Sequence, residues 1–150
     1  MKSTHNPVDA DVSEGKMALD TGWDPDYSVG HVVLDRYHQR LFELSSKTLA
    51  YVESPSRCSK TLRRLLAELL VYVDAHFQVE EAILRQHDFP HLTDHRAAHD
   101  QCFEKMKQIL SSSDDSPVDE VSMCRRLAVW CRQHILDLDM AYSQYLLRAA

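Results

Sequence analysis

Through residue 21 the chain mixes Asp, Ser, Lys, Pro and Gly without periodicity, and an extended or partly disordered arm is expected over residues 1–21. The pattern changes after the turn-like Trp23-Asp24-Pro25-Asp26. From about His31 to Glu53 the residues Leu34, His38, Leu41, Ser45, Thr48 and Val52 recur at helical spacing on one stripe, and Pro55 ends the run. A longer amphipathic pattern covers about Arg57 to Gln86, with Leu62, Leu66, Leu69, Val73, His76, Glu80 and Ile83 facing one way and Phe89-Pro90 closing it. The third begins near Thr93, read as an N-cap, and carries His95, His99, Phe103, Met106 and Leu110 inward as far as Ser111. A polar, acidic loop, Ser112 to Ser116, precedes Pro117 at a first helical position. Val121, Cys124, Leu127, Cys131, His134 and Ile135 then form the stripe of a fourth helix. An aromatic tail, Tyr142 to Arg148, is expected to pack back on the end. Amphipathic helices joined by short connections predict an all-α fold. The expected architecture is an antiparallel up-down-up-down four-helix bundle over residues 22–150, with the extended N-terminal arm and a short C-terminal helix.

Length and charge narrow the function. A chain of 150 residues buries enough surface to fold as one domain without a disulfide or a metal. Its 17 basic and 23 acidic residues give a net charge of −6, and no basic block interrupts the sequence. Nucleic acid and anionic membrane surfaces are therefore poor partners. No secretory signal and no segment of transmembrane length is read. The four Cys lack paired zinc spacing and are few for a secreted scaffold, so a reducing, cytoplasmic location is expected.

Nine His are the unusual feature. A lone His on an apolar stripe is more often a hydrogen-bonded core residue than a ligand. Here, however, every helix puts at least one imidazole on its buried stripe: His38 on the first, His76 with Glu80 on the second, His95 with His99 on the third and His134 on the fourth. Burying this many polar groups is strongly destabilising unless they share partners, and a metal is the shared partner that suits them. Five imidazoles with carboxylates exceed one tetrahedral zinc site, so two ions are expected, iron among several suitable first-row metals. No Glu is followed by His three residues later, the motif of ferritin-like di-iron bundles.

The chain resembles the hemerythrin family, in its bacterial type, from about Trp23 to Leu147. The resemblance is carried by Trp23…Tyr27-Ser28-Val29-Gly30, Asp35-Arg36-Tyr37-His38, His76-Phe77-Gln78-Val79-Glu80-Glu81, Phe89-Pro90, His95-Arg96-Ala97-Ala98-His99…Phe103 and Trp130…His134-Ile135-Leu136-Asp137-Leu138-Asp139. It implies two non-haem iron ions with an oxo or hydroxo bridge. His95, His99 and His134 would hold one iron, His38 and His76 the other, with Glu80 and Asp139 bridging. It further implies reversible binding of O2, end-on and as hydroperoxide, at the iron with the open position, in an oxygen carrier, store or scavenger rather than an enzyme. Phe42, Phe77, Leu84 and Phe103 are candidate pocket-lining residues. An oxygen- or redox-sensing module is the alternative, and a peroxide- or NO-reducing enzyme ranks last because no general acid is evident beside the site.

One ligand sets periodicity against the family pattern. From His134, Asp137 at i+3 lies about 60° around a regular helix and Asp139 at i+5 about 140°. Helical geometry prefers Asp137; the family spacing chooses Asp139 and requires the helix to end or distort there. Among the remaining residues, Asp35 is either an acceptor for a ligand imidazole or a solvated acid at a helix start. His31 is read as a boundary residue, the sharper alternative being a hydrogen bond to water at the pocket mouth. His5, His87 and His91 are read as bystanders, and Cys124 and Cys131 as buried thiols.

Overall fold

The computed structural model describes the backbone of residues 22–111 and 117–149; the arm and the Ser112–Ser116 loop expected from the sequence lie outside the described residues. Four long helices carry the fold: α1 (Val32–Val52), α2 (Ser59–Gln86), α3 (Leu92–Ser111) and α4 (Pro117–His134). A π turn, Ile135–Asp139, joins α4 to α5 (Met140–Ala149). No strand occurs among the described residues, and no helix is long and apolar enough to cross a membrane. α1 packs against both α2 and α4, and α2 against α3.

The approach to α1 is a short 3-10 turn, Pro25–Tyr27, in which Asp24 accepts the Asp26 N–H at 2.8 Å. Gly30 then turns the chain with φ +79, a conformation in which a side chain is strained; a Cβ there would also sit 3.0 Å from Leu147. Asp35 secures this turn, its two carboxylate oxygens accepting from the Ser28 hydroxyl at 2.6 Å and the Val29 N–H at 2.8 Å. It is thus neither an imidazole acceptor nor a free surface acid. His31 is the half-buried residue before the first turn of α1, with its carbonyl accepting the Asp35 N–H at 2.9 Å.

Thr93 is not the N-cap of α3. The helix starts a residue earlier, because the turn after Phe89 already delivers the Leu92 N–H to the Phe89 carbonyl and the His95 N–H to the His91 carbonyl, at 3.3 and 3.0 Å. That places His95 in the second turn, on the buried face.

The core has three layers along the helices. A large apolar cluster contains Leu41, Leu66, Leu69, Val73, Met106 and Cys131 among others, and a smaller one contains Val29, Leu34, Leu84, Tyr142 and Leu146. Between them in sequence fall the polar residues: His38 between Leu34 and Leu41, and His76 and Glu80 between Val73 and Leu84. Each buried Leu contributes roughly 1.5–3 kcal/mol, so apolar layers on both sides offset the cost of a polar layer that neither could accommodate alone.

Candidate metal centre

All seven residues expected from the sequence, His38, His76, Glu80, His95, His99, His134 and Asp139, are buried, none more than 5% exposed. Their potential ligand atoms fall in two groups, each within 4.8 Å: Glu80, His95, His99, His134 and Asp139 in one, His38, His76, Glu80 and Asp139 in the other. Glu80 and Asp139 belong to both.

The two carboxylates divide their oxygens between the groups. Glu80 Oε2 lies 3.0 Å from His76 Nε2 and 3.4 Å from His38 Nε2, while Oε1 faces His99 Nε2 at 3.2 Å and contacts His95 Nε2. Asp139 Oδ2 lies 3.2 Å from His38 Nε2; its Oδ1 lies 3.2 Å from His134 and 3.5 Å from His95. Within each group imidazole nitrogens face one another, His38 to His76 at 2.9 Å and His99 to His134 at 3.1 Å, both through Nε2.

The local backbone explains how Asp139 arrives. Met140 N–H bonds to the Ile135 carbonyl, the i→i+5 closure of a π turn, which brings residue i+5 over residue i. Asp139 is fully buried and Asp137 exposed, so the distortion required by the i+5 spacing is present and the residue favoured by a regular helix faces out.

The electrostatics suit a cation. Burial pushes the Glu80 carboxyl up, but His76, His38 and His95 around it win and hold it well below the usual range. Asp139 is also lowered: burial and the charge of Glu80 oppose this, and His134 and His38 prevail. His38 is driven down by burial yet raised to about 9 by Asp139 and Glu80, whereas burial keeps His76 below its ordinary value. Among the described residues, both Asp139 oxygens and the Nδ1 atoms of His38, His76 and His134 lack a well-directed hydrogen bond. A fully buried carboxylate whose only close polar neighbours are imidazole nitrogens in poor hydrogen-bond geometry is costly, and five imidazoles with two carboxylates form a donor set for first-row metals, so the residues fit such ions.

Outside the seven, two contacts escaped the sequence reading. Glu81 Oε1 accepts from His99 Nδ1 at 2.9 Å, its other oxygen held by Arg96 Nε at 3.1 Å. The Tyr142 hydroxyl donates to Glu80 Oε2 at 2.6 Å. An acid next to Glu80 was visible in the sequence; Tyr142, read as tail packing, carried no signal. Of the candidate lining residues, Phe77 stacks on His99 at 3.7 Å. Leu84 lies in the smaller apolar cluster, Phe42 packs on Trp23 and Tyr27, and Phe103 is half-buried beneath Lys107. Trp130 and Tyr37, by contrast, lie against His134 and His76 at 4.7 and 5.9 Å.

An all-helical protein with a buried, two-sided imidazole and carboxylate cluster has the donor set that a cation-binding domain needs. The chain belongs to the hemerythrin family: the model of the hemerythrin HHE cation binding domain matches residues 29–146. Among curated relatives, a bacteriohemerythrin of Campylobacter jejuni is 32% identical over 85 residues, covering 57% of this chain and 63% of the relative. The chain thus spans just under two thirds of the length of that relative. A bacteriohemerythrin of Clostridium acetobutylicum is 25% identical over 124 residues, 80% of this chain and 96% of the relative. The myohemerythrin of Sipunculus nudus is 25% identical over 121 residues, 81% and 89%. No solved structure gives a significant match.

Proposed function

We propose that the protein binds O2 reversibly at a carboxylate-bridged pair of non-haem irons, as an oxygen carrier, store or scavenger. The observation that carries this reading is the division of both Glu80 and Asp139 between two histidine groups, three imidazoles on one side and two on the other. His95, His99 and His134 would hold one iron and His38 and His76, with one imidazole fewer, the second. Bound iron supplies the two-electron redox couple that reversible O2 binding requires.

The chain's own residues do the rest. Glu81 fixes which nitrogen of His99 is free to bind a cation, since Nδ1 is engaged and Nε2 points inward. Phe77, stacked on His99, and the apolar clusters above and below exclude water. A site kept dry in this way would be shielded from competing reactions with solvent.

The up-down-up-down arrangement belongs to the same proposal. Near its start α1 meets α2 through His38 and His76, and at its end Tyr51 accepts the Cys58 N–H just before α2. Glu53, after α1, pairs with Arg125 in the first half of α4, while His38 meets Asp139 beyond the end of α4. Both pairings support antiparallel neighbours. The four cysteines stand as thiols outside any disulfide, in keeping with a reducing cytoplasm.

Anaerobic loading with Fe(II) followed by air tests the reading. Two irons per chain and a coloured form that reverts on deoxygenation are expected. A colourless protein that takes up no iron overturns it.

A further inference from the structure

Tyr142 reaches the metal centre from α5 with a fully buried side chain, and the oxygen its hydroxyl selects is informative. The phenol donates at 2.6 Å to Glu80 Oε2, the atom facing His38 and His76, and not to Oε1, which faces the three-histidine side. A carboxylate oxygen offers two lone pairs. With one taken by Tyr142, the other is left directed at the two-histidine side.

Packing holds this donor in place. The Tyr142 ring meets His95 edge-on at 5.6 Å and Phe89 at 6.1 Å. Asp139 and Tyr142 are three residues apart, on one face of the chain leaving the π turn, so the same segment delivers one carboxylate to the site and a donor to the other.

We propose that Tyr142 is a positioning residue that holds Glu80 in its two-sided orientation and so sets the strength of cation binding on the His38/His76 side. This rests on Glu80 being a shared ligand. Without the phenol, Glu80 is free to turn both oxygens toward the three-histidine group, and the two-histidine side loses a donor. Glu81 has no comparable reach, since its contact is with His99 on the other side.

The test is an anaerobic titration of the metal-free full-length chain with Co(II), followed by its absorption spectrum and by competition with a chelator. The parent is expected to fill in two steps. Tyr142→Phe keeps the ring packed on His95 and Phe89; its first step should stay within about threefold and its second weaken about 10- to 100-fold, the usual effect of losing an outer hydrogen bond to a ligand. Tyr142→His, which retains a ring donor, should fall between Phe and the parent. In a Glu80→Gln background the Phe substitution should change the second step by less than about twofold, because the tyrosine acts through that carboxylate. Two unchanged steps, equal weakening of both, or a full effect in the Glu80→Gln background overturns the proposal. So does a Phe variant that no longer folds, judged by circular dichroism, since that marks a structural role. A parent chain that binds no metal refutes the metal-site reading instead.

Discussion

Glu81→Gln separates the two halves of the centre from the opposite direction. Glu81 is 18% exposed and touches the site through one atom pair, its Oε1 accepting from His99 Nδ1 at 2.9 Å, with Arg96 anchoring the other oxygen. The amide keeps the shape and an acceptor oxygen but removes the charge, so the His99 Nδ1–H faces a weaker, neutral acceptor and Nε2 becomes a poorer donor to a cation. A hydrogen bond to a charged acceptor contributes about 1.5–3 kcal/mol and one to a neutral acceptor about 0.5–1.5 kcal/mol, so the exchange costs about 1–1.5 kcal/mol. Independently, loss of an outer partner of a metal-binding imidazole weakens the metal about 10- to 100-fold, which is about 1.4–2.7 kcal/mol. The two routes agree on a loss of about tenfold, confined to the step that fills the three-histidine side. Stepwise metal titration against a chelator measures it. Arg96→Ala, removing only the half-exposed anchor, should cost about threefold or less. If Glu81→Gln binds metal within twofold of the parent, or weakens the second step instead of the first, the argument that Glu81 acts through His99 is refuted.

Three further predictions follow from the geometry. Without metal, folded His38 keeps its proton to about 9, whereas an unfolded His releases it near 6.5; the contribution is complete below about pH 6.5 and lost as pH rises to about 9. The loss is about 3 kcal/mol, or roughly 6–12 °C in the thermal midpoint, and a flat profile across that range refutes it. His76, lowered in the fold, is neutral in both states there and does not oppose the trend. Asp139→Ala should weaken metal uptake at least about tenfold and Asp137→Ala less than about twofold, by metal count after gel filtration; the reverse order would restore the regular-helix assignment. Cys58, exposed before α2, is drawn down to about 7 by hydrogen bonds to Thr61 and then Tyr51, so its alkylation should be half-maximal near pH 7. Cys131, pushed up to about 12 by burial, and Cys102, raised likewise, should react only on unfolding; a midpoint for Cys58 near the free-thiol value of about 8.5 contradicts its environment.

Helical periodicity reveals which side chains face inward, and His38, His76, Glu80, His95, His99 and His134 were legible because each shares a stripe with Leu, Val or Met. Their burial follows from the same arithmetic that buries Leu66 and Leu69. Periodicity is blind where the helix departs from its own period. Asp139 needed a turn of five residues rather than four, and a 3.6-residue repeat selects Asp137. It is equally blind to contacts between helices. The Tyr142 hydroxyl meets Glu80 from 62 positions away, and no local spacing relates them. Asp35 misled for another reason: placed three residues before His38, it spends both oxygens on the turn behind it.

The π turn also governs which changes of length the chain tolerates. Continued as a regular helix from His134, the segment would turn Leu138, Ala141 and Tyr145 inward and rotate Asp139, Tyr142 and Leu146 away by about 100°. Instead it is Asp139, Tyr142 and Leu146 that are buried, each one place later. α4 and α5 are thus a single rod in two phases, with one surplus residue absorbed between them. Removing one residue between Ile135 and Leu138 lets a regular helix present the same faces, whereas adding one leaves no regular geometry that does. The segment therefore has slack for a deletion and none for an insertion.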